Sequence, residues 1–188
     1  MTRTVDLTAD VGDILLTEDQ IADKVAELGR RITADYAGRS LTLVSVLKGS
    51  LPFMADLMRQ IHLPLRIDLM EVSSYGGAST ESSGLVRIMK DLSASIEGED
   101  VLLVEDIIDT GLTLNYLIRY LRGKNPASLR ICTLLDKPAR RLVDIPVDYA
   151  GFEIPDQFVV GYGLDYAERY RNLRFVGVLR PEVYSGTD

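Results

Sequence analysis

The chain contains one cysteine and one histidine, and it contains no hydrophobic run of transmembrane length. A single cysteine excludes an internal disulfide, and with one histidine the chain cannot assemble a Cys/His metal cluster. The N-terminal segment lacks the apolar core of a signal peptide, so we expect a soluble, cytoplasmic protein with no membrane partner. The net charge of -7 disfavours a nucleic-acid-binding protein, because such proteins usually carry a basic surplus.

The two rare side chains are predicted to be structural. Cys132 lies in the apolar run RICTLL, so we expect a buried thiol rather than a nucleophile. His62 follows an amphipathic segment and precedes Leu-Pro, which indicates a surface or helix-end position.

A P-loop enzyme is also excluded, because the motif GxxxxGK[ST] does not occur.

Apolar strands and amphipathic helices alternate along the chain, which fits one globular domain over residues 1–188. Thr17 and Gln20 have the spacing of a capping box, and an apolar stripe from Ile21 to Ile32 predicts a helix that stops near Gly38. This alternation predicts an α/β fold, a parallel sheet flanked by helices. Further helices are predicted at 52–61 and 114–122, and strands at 41–47, 67–72, 86–89, 101–104, 129–135, 158–160 and 175–179.

The most informative segment is VLLVEDIIDTGLT at 101–113, where an apolar strand runs into Glu105, Asp106 and Asp109. The loop after this strand opens a helix, so its backbone N–H groups and two threonine hydroxyls can bind a phosphate. Three carboxylates within five residues repel one another, and a sugar diol with magnesium would offset that repulsion. The segment therefore predicts a sugar-phosphate site at the carboxyl edge of the sheet.

This segment resembles the phosphoribosyl pyrophosphate signature of the type I phosphoribosyltransferases. The segments VSVLKGS at 44–50, LLDKP around Lys137 and GFEIPDQFVVGYGLDYAERYR at 151–171 look like further segments of members that act on hypoxanthine. The resemblance runs from about Leu41 to Leu179. It implies magnesium-dependent transfer of a phosphoribosyl group from phosphoribosyl pyrophosphate to a 6-oxopurine, hypoxanthine and also guanine. It further implies a small hood over the base, built from the N-terminal and C-terminal segments, and a homodimer or homotetramer.

The resemblance implies roles for the sugar-phosphate residues. Asp109 would accept the purine proton as N9 attacks C1 of the ribose. Glu105 and Asp106 would bind the ribose hydroxyls and, together with Asp165, magnesium. A non-proline cis peptide at the Lys48-Gly49 pair would present N–H groups to pyrophosphate. The other residues implied to contact phosphoribosyl pyrophosphate are Ile108, Thr110, Gly111, Thr113, Arg171 and Leu112, which stands where other members have lysine.

The purine end of the site is also implied by the resemblance. Lys137 would donate to O6 of the purine and would oppose the amino group of adenine at the same place. Phe158 would stack on the base, and backbone carbonyls near Val159 and Asp165 would meet its N1 and C2 edge. The sequence leaves open the relative preference among hypoxanthine, guanine and xanthine.

The segment SSYGGASTESSG at Ser73–Gly84 is nearly all small and polar, which predicts a mobile loop. In the resembling family the matching loop closes over the reaction centre, and Ser74 and Tyr75 stand at its start. Two alternative functions stay open at this level. One is a regulatory homologue that senses nucleotides and binds RNA, and the other is a transferase of the same fold that acts on orotate, uracil or xanthine.

Overall fold

The structure is a computed structural model that describes residues 7–74 and 86–185. Its helices are α1 (Glu18–Asp35), α2 (Leu51–Gln60), α3 (Leu112–Arg122) and α4 (Pro181–Tyr184). Its strands are β1 (Val11–Leu16), β2 (Leu41–Leu47), β3 (Leu65–Ser74), β4 (Val86–Lys90), β5 (Asp100–Ile108), β6 (Ser128–Asp136), β7 (Tyr149–Glu153), β8 (Val159–Val160) and β9 (Val176–Leu179). No helix in these two ranges is long and apolar enough to span a membrane.

Six strands form the main sheet in the order β4-β3-β2-β5-β6-β7. All neighbouring pairs are parallel except β3 and β4, which are antiparallel. One face of the sheet packs on α1 and α2 through side chains such as Leu28 and Phe53. The other face packs on α3 through side chains such as Leu117 and Leu121. The predicted parallel sheet flanked by helices is therefore confirmed.

The N-terminal and C-terminal segments meet in a second, antiparallel sheet of order β1-β9-β8, which we call the hood. Val11 pairs with Leu179, and Val159 pairs with Val178. Strand β1 carries no clear strand signal in the sequence, since only two of its six residues are buried and its pattern of burial does not alternate regularly. Its partner β9 lies at the other end of the chain.

Helix α1 begins where the sequence predicts. The Thr17 side chain accepts a hydrogen bond from the Gln20 N–H at 3.2 Å, and the Gln20 side chain accepts one from the Thr17 N–H at 2.8 Å. This reciprocal pair is the predicted capping box. Cys132 is fully buried, and burial raises the pKa of its thiol, as expected for a structural cysteine. His62 is exposed just after α2, also as predicted.

Two predicted boundaries were wrong at the edge of the sheet that carries the site. The signature strand does not stop at Val104, because Glu105 and Ile108 still pair with Thr133 and Asp136 of β6. The predicted loop does not start at Ser73, because β3 continues through Ser73 and Ser74, opposite Arg87 and Val86 of β4. In both cases a neighbouring strand extends the pairing beyond the apolar run. Tyr75 and the rest of the predicted lid, residues 75–84, lie outside the described residues.

Candidate active site

A cleft of about 620 Å³ opens at the carboxyl ends of β2, β5 and β6, beneath the hood. Residues from distant parts of the sequence line it together. The lining residues predicted from the sequence are Gly49, Asp106, Asp109, Lys137, Phe158, Val159, Asp165 and Arg171. The lining residues not predicted from the sequence are Ile107, Arg140, Asp156, Gln157, Leu164 and Tyr184. The cleft therefore brings residues of both predicted ends, purine and pyrophosphate, into one space.

A smaller pocket of about 160 Å³ lies at the N-terminus of α3. Gly111 precedes the helix with φ 81°, a left-handed conformation that favours glycine, and a Cβ there would lie 2.9 Å from Cδ1 of Ile145. Leu112 is the first residue of α3 and does not line this pocket, although the sequence predicted that the helix starts only at position 114. The predicted residues that line this pocket are Glu105, Ile108, Asp109, Thr110, Gly111 and Thr113.

Glu105 and Asp106 are divided between the two spaces because they lie within β5 and not after it. Successive side chains of a strand point to opposite faces, so Glu105 lines the pocket at α3 while Asp106 lines the larger cleft. Because Glu105 and Asp106 are adjacent in the sequence, they were expected to face the same part of the site. The strand geometry instead gives each carboxylate its own neighbours.

Both carboxylates have raised proton affinities. Burial raises the pKa of Asp106 to about 6, and the charge of Asp165 adds to this, although the Ile107 N–H and Arg171 act against it. Burial and the neighbouring Asp106 raise the pKa of Glu105 well above its usual value. Within the described ranges neither carboxylate forms an ion pair with lysine or arginine. A positively charged ligand or a set of hydroxyl donors would therefore stabilise both.

The turn after β2 is packed tightly against Asp106. A Cβ on Gly49 would lie 1.9 Å from Oδ2 of Asp106, and a Cβ on Gly163 would lie 1.9 Å from the Gly49 carbonyl oxygen. A side chain at position 49 would have to displace Asp106, and one at position 163 would have to displace the backbone of Gly49. The non-proline cis peptide joins Leu47 to Lys48, one bond before the predicted Lys48-Gly49 pair, so the prediction was wrong by one residue. It lies at the junction between β2 and the turn that the Leu51 N–H closes onto the Lys48 carbonyl.

Lys137 marks one end of the cleft. Only 5% of its surface is exposed, and its Nζ donates to the Gln157 carbonyl at 2.6 Å. Burial lowers the pKa of this amine, while Asp109 and Asp156 act to raise it. Arg140 lies between the same two carboxylates, with its Nε 3.4 Å from Asp109 and 3.8 Å from Asp156.

Phe158 carries the aromatic surface near Lys137. It does not belong to a strand, since β8 starts only at Val159. Its ring packs edge-on against Tyr166 at 5.8 Å and stacks on Tyr184 at 5.2 Å between centroids. Tyr184 had no signal in the sequence, because it is a single tyrosine near the end of the chain, and only the fold brings it to the cleft, where it stacks on Phe158.

Arg171 marks the opposite end. Its Nη1 donates to the Gly163 carbonyl at 2.8 Å, and its Nη2 lies 2.8 Å from Oδ1 of Asp165. The other oxygen of Asp165 accepts the Glu168 N–H at 2.9 Å. Glu168 itself pairs with Lys48 at 3.0 Å and with Arg171 at 3.3 Å. Glu168 was not singled out from the sequence, where it is one charge in a charged run.

A parallel sheet flanked by helices, with a cleft at the carboxyl edge of the sheet, is the architecture of the phosphoribosyltransferases. The chain belongs to the phosphoribosyltransferase family, since the model of the phosphoribosyl transferase domain matches residues 12–167. It is 55% identical over 175 residues to hypoxanthine-guanine phosphoribosyltransferase of Bacillus subtilis, covering 93% of this chain and 97% of that protein. A solved hypoxanthine phosphoribosyltransferase of Staphylococcus aureus superimposes with a TM-score of 0.92 at 52% identity, covering 98% of this chain and 99% of that one.

Another relative is much longer than this chain. The bifunctional protein TilS/HprT of Listeria innocua is 55% identical over 176 residues, which are 94% of this chain. The chain spans 27% of the length of that relative. The similarity to these three proteins identifies the hypoxanthine-guanine branch as the part of the family that this chain resembles.

Proposed function

We propose that the protein transfers the phosphoribosyl group of phosphoribosyl pyrophosphate to hypoxanthine and to guanine. The products are the nucleoside 5-monophosphates IMP and GMP, with pyrophosphate as the co-product. The observation that carries the proposal is one cleft in which the Lys137 amine and the Phe158 ring lie near the end of β6, Arg171 lies near the turn after β2, and Asp106 and Asp109 lie at the end of β5, the strand between those two. Relatives that match this chain over nearly their whole length and bear the name of this activity support it.

The reaction is a displacement at C1 of the ribose. A bond forms between N9 of the purine and C1 while the bond from C1 to the pyrophosphate oxygen breaks. Asp109 accepts the proton that the purine loses, which is general base catalysis. Glu105 and Asp106 accept hydrogen bonds from the ribose hydroxyls and favour the positive charge that develops on the sugar. Thr110, Gly111 and Thr113 hold the 5-phosphate at the N-terminus of α3.

Lys137 selects the base. Its amine donates to O6 of hypoxanthine or guanine. Adenine presents a donor at that position, so the buried amine would face another donor and have no acceptor. Phe158 supplies the stacking surface, and backbone carbonyls near Val159 and Asp165 meet the remaining edge of the base. Because Lys137 is almost fully buried, an unsatisfied amine there is costly, which favours rejection of adenine.

Magnesium is proposed as the cofactor. The half-buried carboxylates Glu105, in the pocket at α3, and Asp106, in the larger cleft, form no ion pair within the described ranges, so each has oxygens that fit a divalent cation bound to the substrate. Both oxygens of Asp165, by contrast, are already engaged by Arg171 and the Glu168 N–H. The part of the chain that the structure describes has no cluster of three or more metal-binding side chains. Magnesium bound here would take most of its ligands from substrate oxygens and water, and it would neutralise the pyrophosphate leaving group.

Three further properties complete the proposal. Residues 1–188 form one domain, the enzyme acts in the cytoplasm, and it assembles as a homodimer or homotetramer. Its partners are then its small-molecule substrates rather than nucleic acid or membrane. The acidic net charge supports the exclusion of nucleic acid.

A spectrophotometric screen tests the proposed reaction. Purified protein is assayed with phosphoribosyl pyrophosphate and magnesium against hypoxanthine, guanine, xanthine and adenine. Turnover of hypoxanthine and guanine without turnover of adenine is the expected result. Turnover of adenine or orotate with neither 6-oxopurine would show that the assignment of the substrate is wrong. Omission of magnesium, with chelator present, should abolish turnover.

A further inference from the structure

Glu168 bridges two cations, Lys48 and Arg171, beside the part of the cleft that Arg171 lines. Its Oε2 atom lies 3.0 Å from Nζ of Lys48, and its Oε1 atom lies 3.3 Å from Nη2 of Arg171. One carboxylate therefore divides its two oxygens between Arg171, which the family resemblance places at the pyrophosphate, and the amine of Lys48, the residue that begins the turn whose backbone is predicted to bind pyrophosphate. Lys48 and Glu168 are 120 positions apart, so the fold and not the local sequence creates this contact.

The backbone around Glu168 holds its side chain in this place. Ala167 and Glu168 have φ angles of 51° and 61°, in the left-handed region that residues with a Cβ rarely adopt. The Glu168 N–H donates to Oδ2 of Asp165, and Tyr166 and Arg169 exchange backbone hydrogen bonds. A turn that places a non-glycine residue in an unfavourable conformation, and closes it with three hydrogen bonds, is a defined structure and not a loose surface loop.

The residues on which this turn packs are also held in fixed positions. The Gly163 carbonyl accepts a hydrogen bond from Arg171, and the space for a side chain on Gly163 is filled by the backbone of Gly49. The segment that carries Glu168 is thus seated directly on the turn that carries Lys48. Hydrogen bonds from Lys48 and Arg171 lower the pKa of Glu168, which keeps its carboxylate ionised at neutral pH.

A carboxylate offers the same kind of acceptor oxygens to lysine and arginine as a phosphate does. An anion that binds Lys48 and Arg171 must therefore displace Glu168 or approach its negative charge. The Lys48 and Glu168 side chains are 60% and 65% exposed, and exposed pairs contribute little stability, so a more highly charged anion can displace this contact.

We propose that Glu168 is an intramolecular competitor of the pyrophosphate group, a residue that sets the affinity of this end of the site. The inference rests on the proposed function, because that function supplies the pyrophosphate. Glu168 occupies Lys48 and Arg171 when the site is free and returns to them as pyrophosphate leaves. It weakens the binding of both phosphoribosyl pyrophosphate and pyrophosphate, and it thereby favours release of the product.

Titration calorimetry with inorganic pyrophosphate and magnesium chloride tests this competition. In the Glu168→Gln variant the dissociation constant should fall by roughly 2- to 10-fold, the range expected from the loss of one exposed and one partly buried ion pair. In steady-state assays the KM for phosphoribosyl pyrophosphate should fall while kcat does not rise. Pyrophosphate should also become a stronger product inhibitor.

The Glu168→Asp variant is the matched control for charge. It keeps the negative charge but is one methylene shorter, so it cannot reach both cations from the same backbone position. If direct contact matters, Glu168→Asp also binds pyrophosphate more tightly than the wild type. The Glu182→Gln variant, which removes an exposed carboxylate from α4, should leave the affinity unchanged.

Two results would overturn the inference. The first is equal or weaker pyrophosphate binding by Glu168→Gln. The second is tighter binding by Glu168→Gln but wild-type binding by Glu168→Asp, since the effect would then come from net charge and not from contact. A wild-type protein that binds pyrophosphate but does not convert either 6-oxopurine would instead overturn the proposed function, so the two failures are distinguishable.

Discussion

The backbone of Gly49 lies against the carboxylate of Asp106, so that a Cβ on Gly49 would be 1.9 Å from Oδ2. The two residues belong to different strand ends, the turn after β2 and the last third of β5. This approach places the backbone of the Lys48-Gly49 turn directly beside the carboxylate that faces the larger cleft. A side chain at position 49 would have to displace Asp106 or the turn.

The Gly49→Ala variant should therefore lose affinity for phosphoribosyl pyrophosphate. Both partners would shift away from positions in which they are proposed to contact the substrate, and we expect the KM to rise by roughly 10-fold or more, because small misplacements at a site are costly. Steady-state kinetics provide the measurement. Gly12→Ala is the control, since a Cβ there makes only ordinary contacts of 3.6 Å or longer. An unchanged KM in Gly49→Ala would contradict the prediction.

Asp109→Asn should keep the shape of the loop and remove the proton acceptor. We expect kcat to fall by roughly 100- to 10,000-fold with a smaller change in KM, which is the usual loss for a general base. The kinetics of hypoxanthine transfer provide the measurement. Asp144→Asn, at a position between β6 and β7 that is not part of the lining of the cleft, serves as the control. Unchanged turnover in Asp109→Asn would refute the role of the base.

Lys137→Ala should relax discrimination against adenine. The buried amine that faces O6 would be absent, so the ratio of kcat/KM for hypoxanthine to that for adenine should fall, while binding of phosphoribosyl pyrophosphate stays nearly intact. Lys137→Met is a second variant that keeps most of the buried side-chain volume and should show the same change. If the ratio stays at the wild-type value in both variants, Lys137 does not contact the base.

Glu105→Gln should stabilise the fold at neutral pH. The pKa of Glu105 is raised in the folded state, so the ionised carboxylate is less favourable there than in the unfolded chain. The folded state binds more protons between the two pKa values, and stability therefore rises as pH falls through the folded pKa. We expect the melting temperature at pH 8 to increase by about 2 to 4 °C, the shift that corresponds to about 1 kcal/mol.

The increase should shrink as pH falls towards the usual pKa of glutamate, because the wild-type carboxyl is then protonated in the folded state as well. Thermal melts of both proteins from pH 8 to pH 5 provide the measurement. A melting temperature at pH 8 that is equal to or lower than that of the wild type would contradict the predicted increase in stability. The same variant should lose activity, since the proposed contact with the ribose hydroxyls requires the carboxylate.

The predicted lid can be tested although Tyr75 and the residues after it lie outside the described ranges. The structure pairs Ser74 with Val86, the two ends of the strands between which this segment runs. Removal of Gly76 to Ser83 should lower transfer far more than it lowers the melting temperature, and it should raise the share of phosphoribosyl pyrophosphate lost to hydrolysis. Full transfer without added hydrolysis would identify the segment as an ordinary connection.

Local patterns alone predicted the elements that carry the candidate site. The apolar strand followed by Glu105, Asp106, Asp109 and a Thr-Gly loop is contiguous, so its strand, its turn and its helix can be predicted from side chains only a few positions apart. The capping box of α1 is local for the same reason. These features depend on periodicity and on backbone hydrogen bonds between near neighbours, which the order of residues specifies directly.

Tertiary structure alone decided how the ends of the site are built. The contacts of Glu168 with Lys48, of Tyr184 with Phe158 and of Gly49 with Asp106 each join segments that are far apart in the chain. The division of Glu105 and Asp106 between two spaces followed from pairing with β6, which extends the strand past its apolar residues. Such contacts depend on the strand order and on the pairing of β1 with β9, and side-chain periodicity carries no information about either.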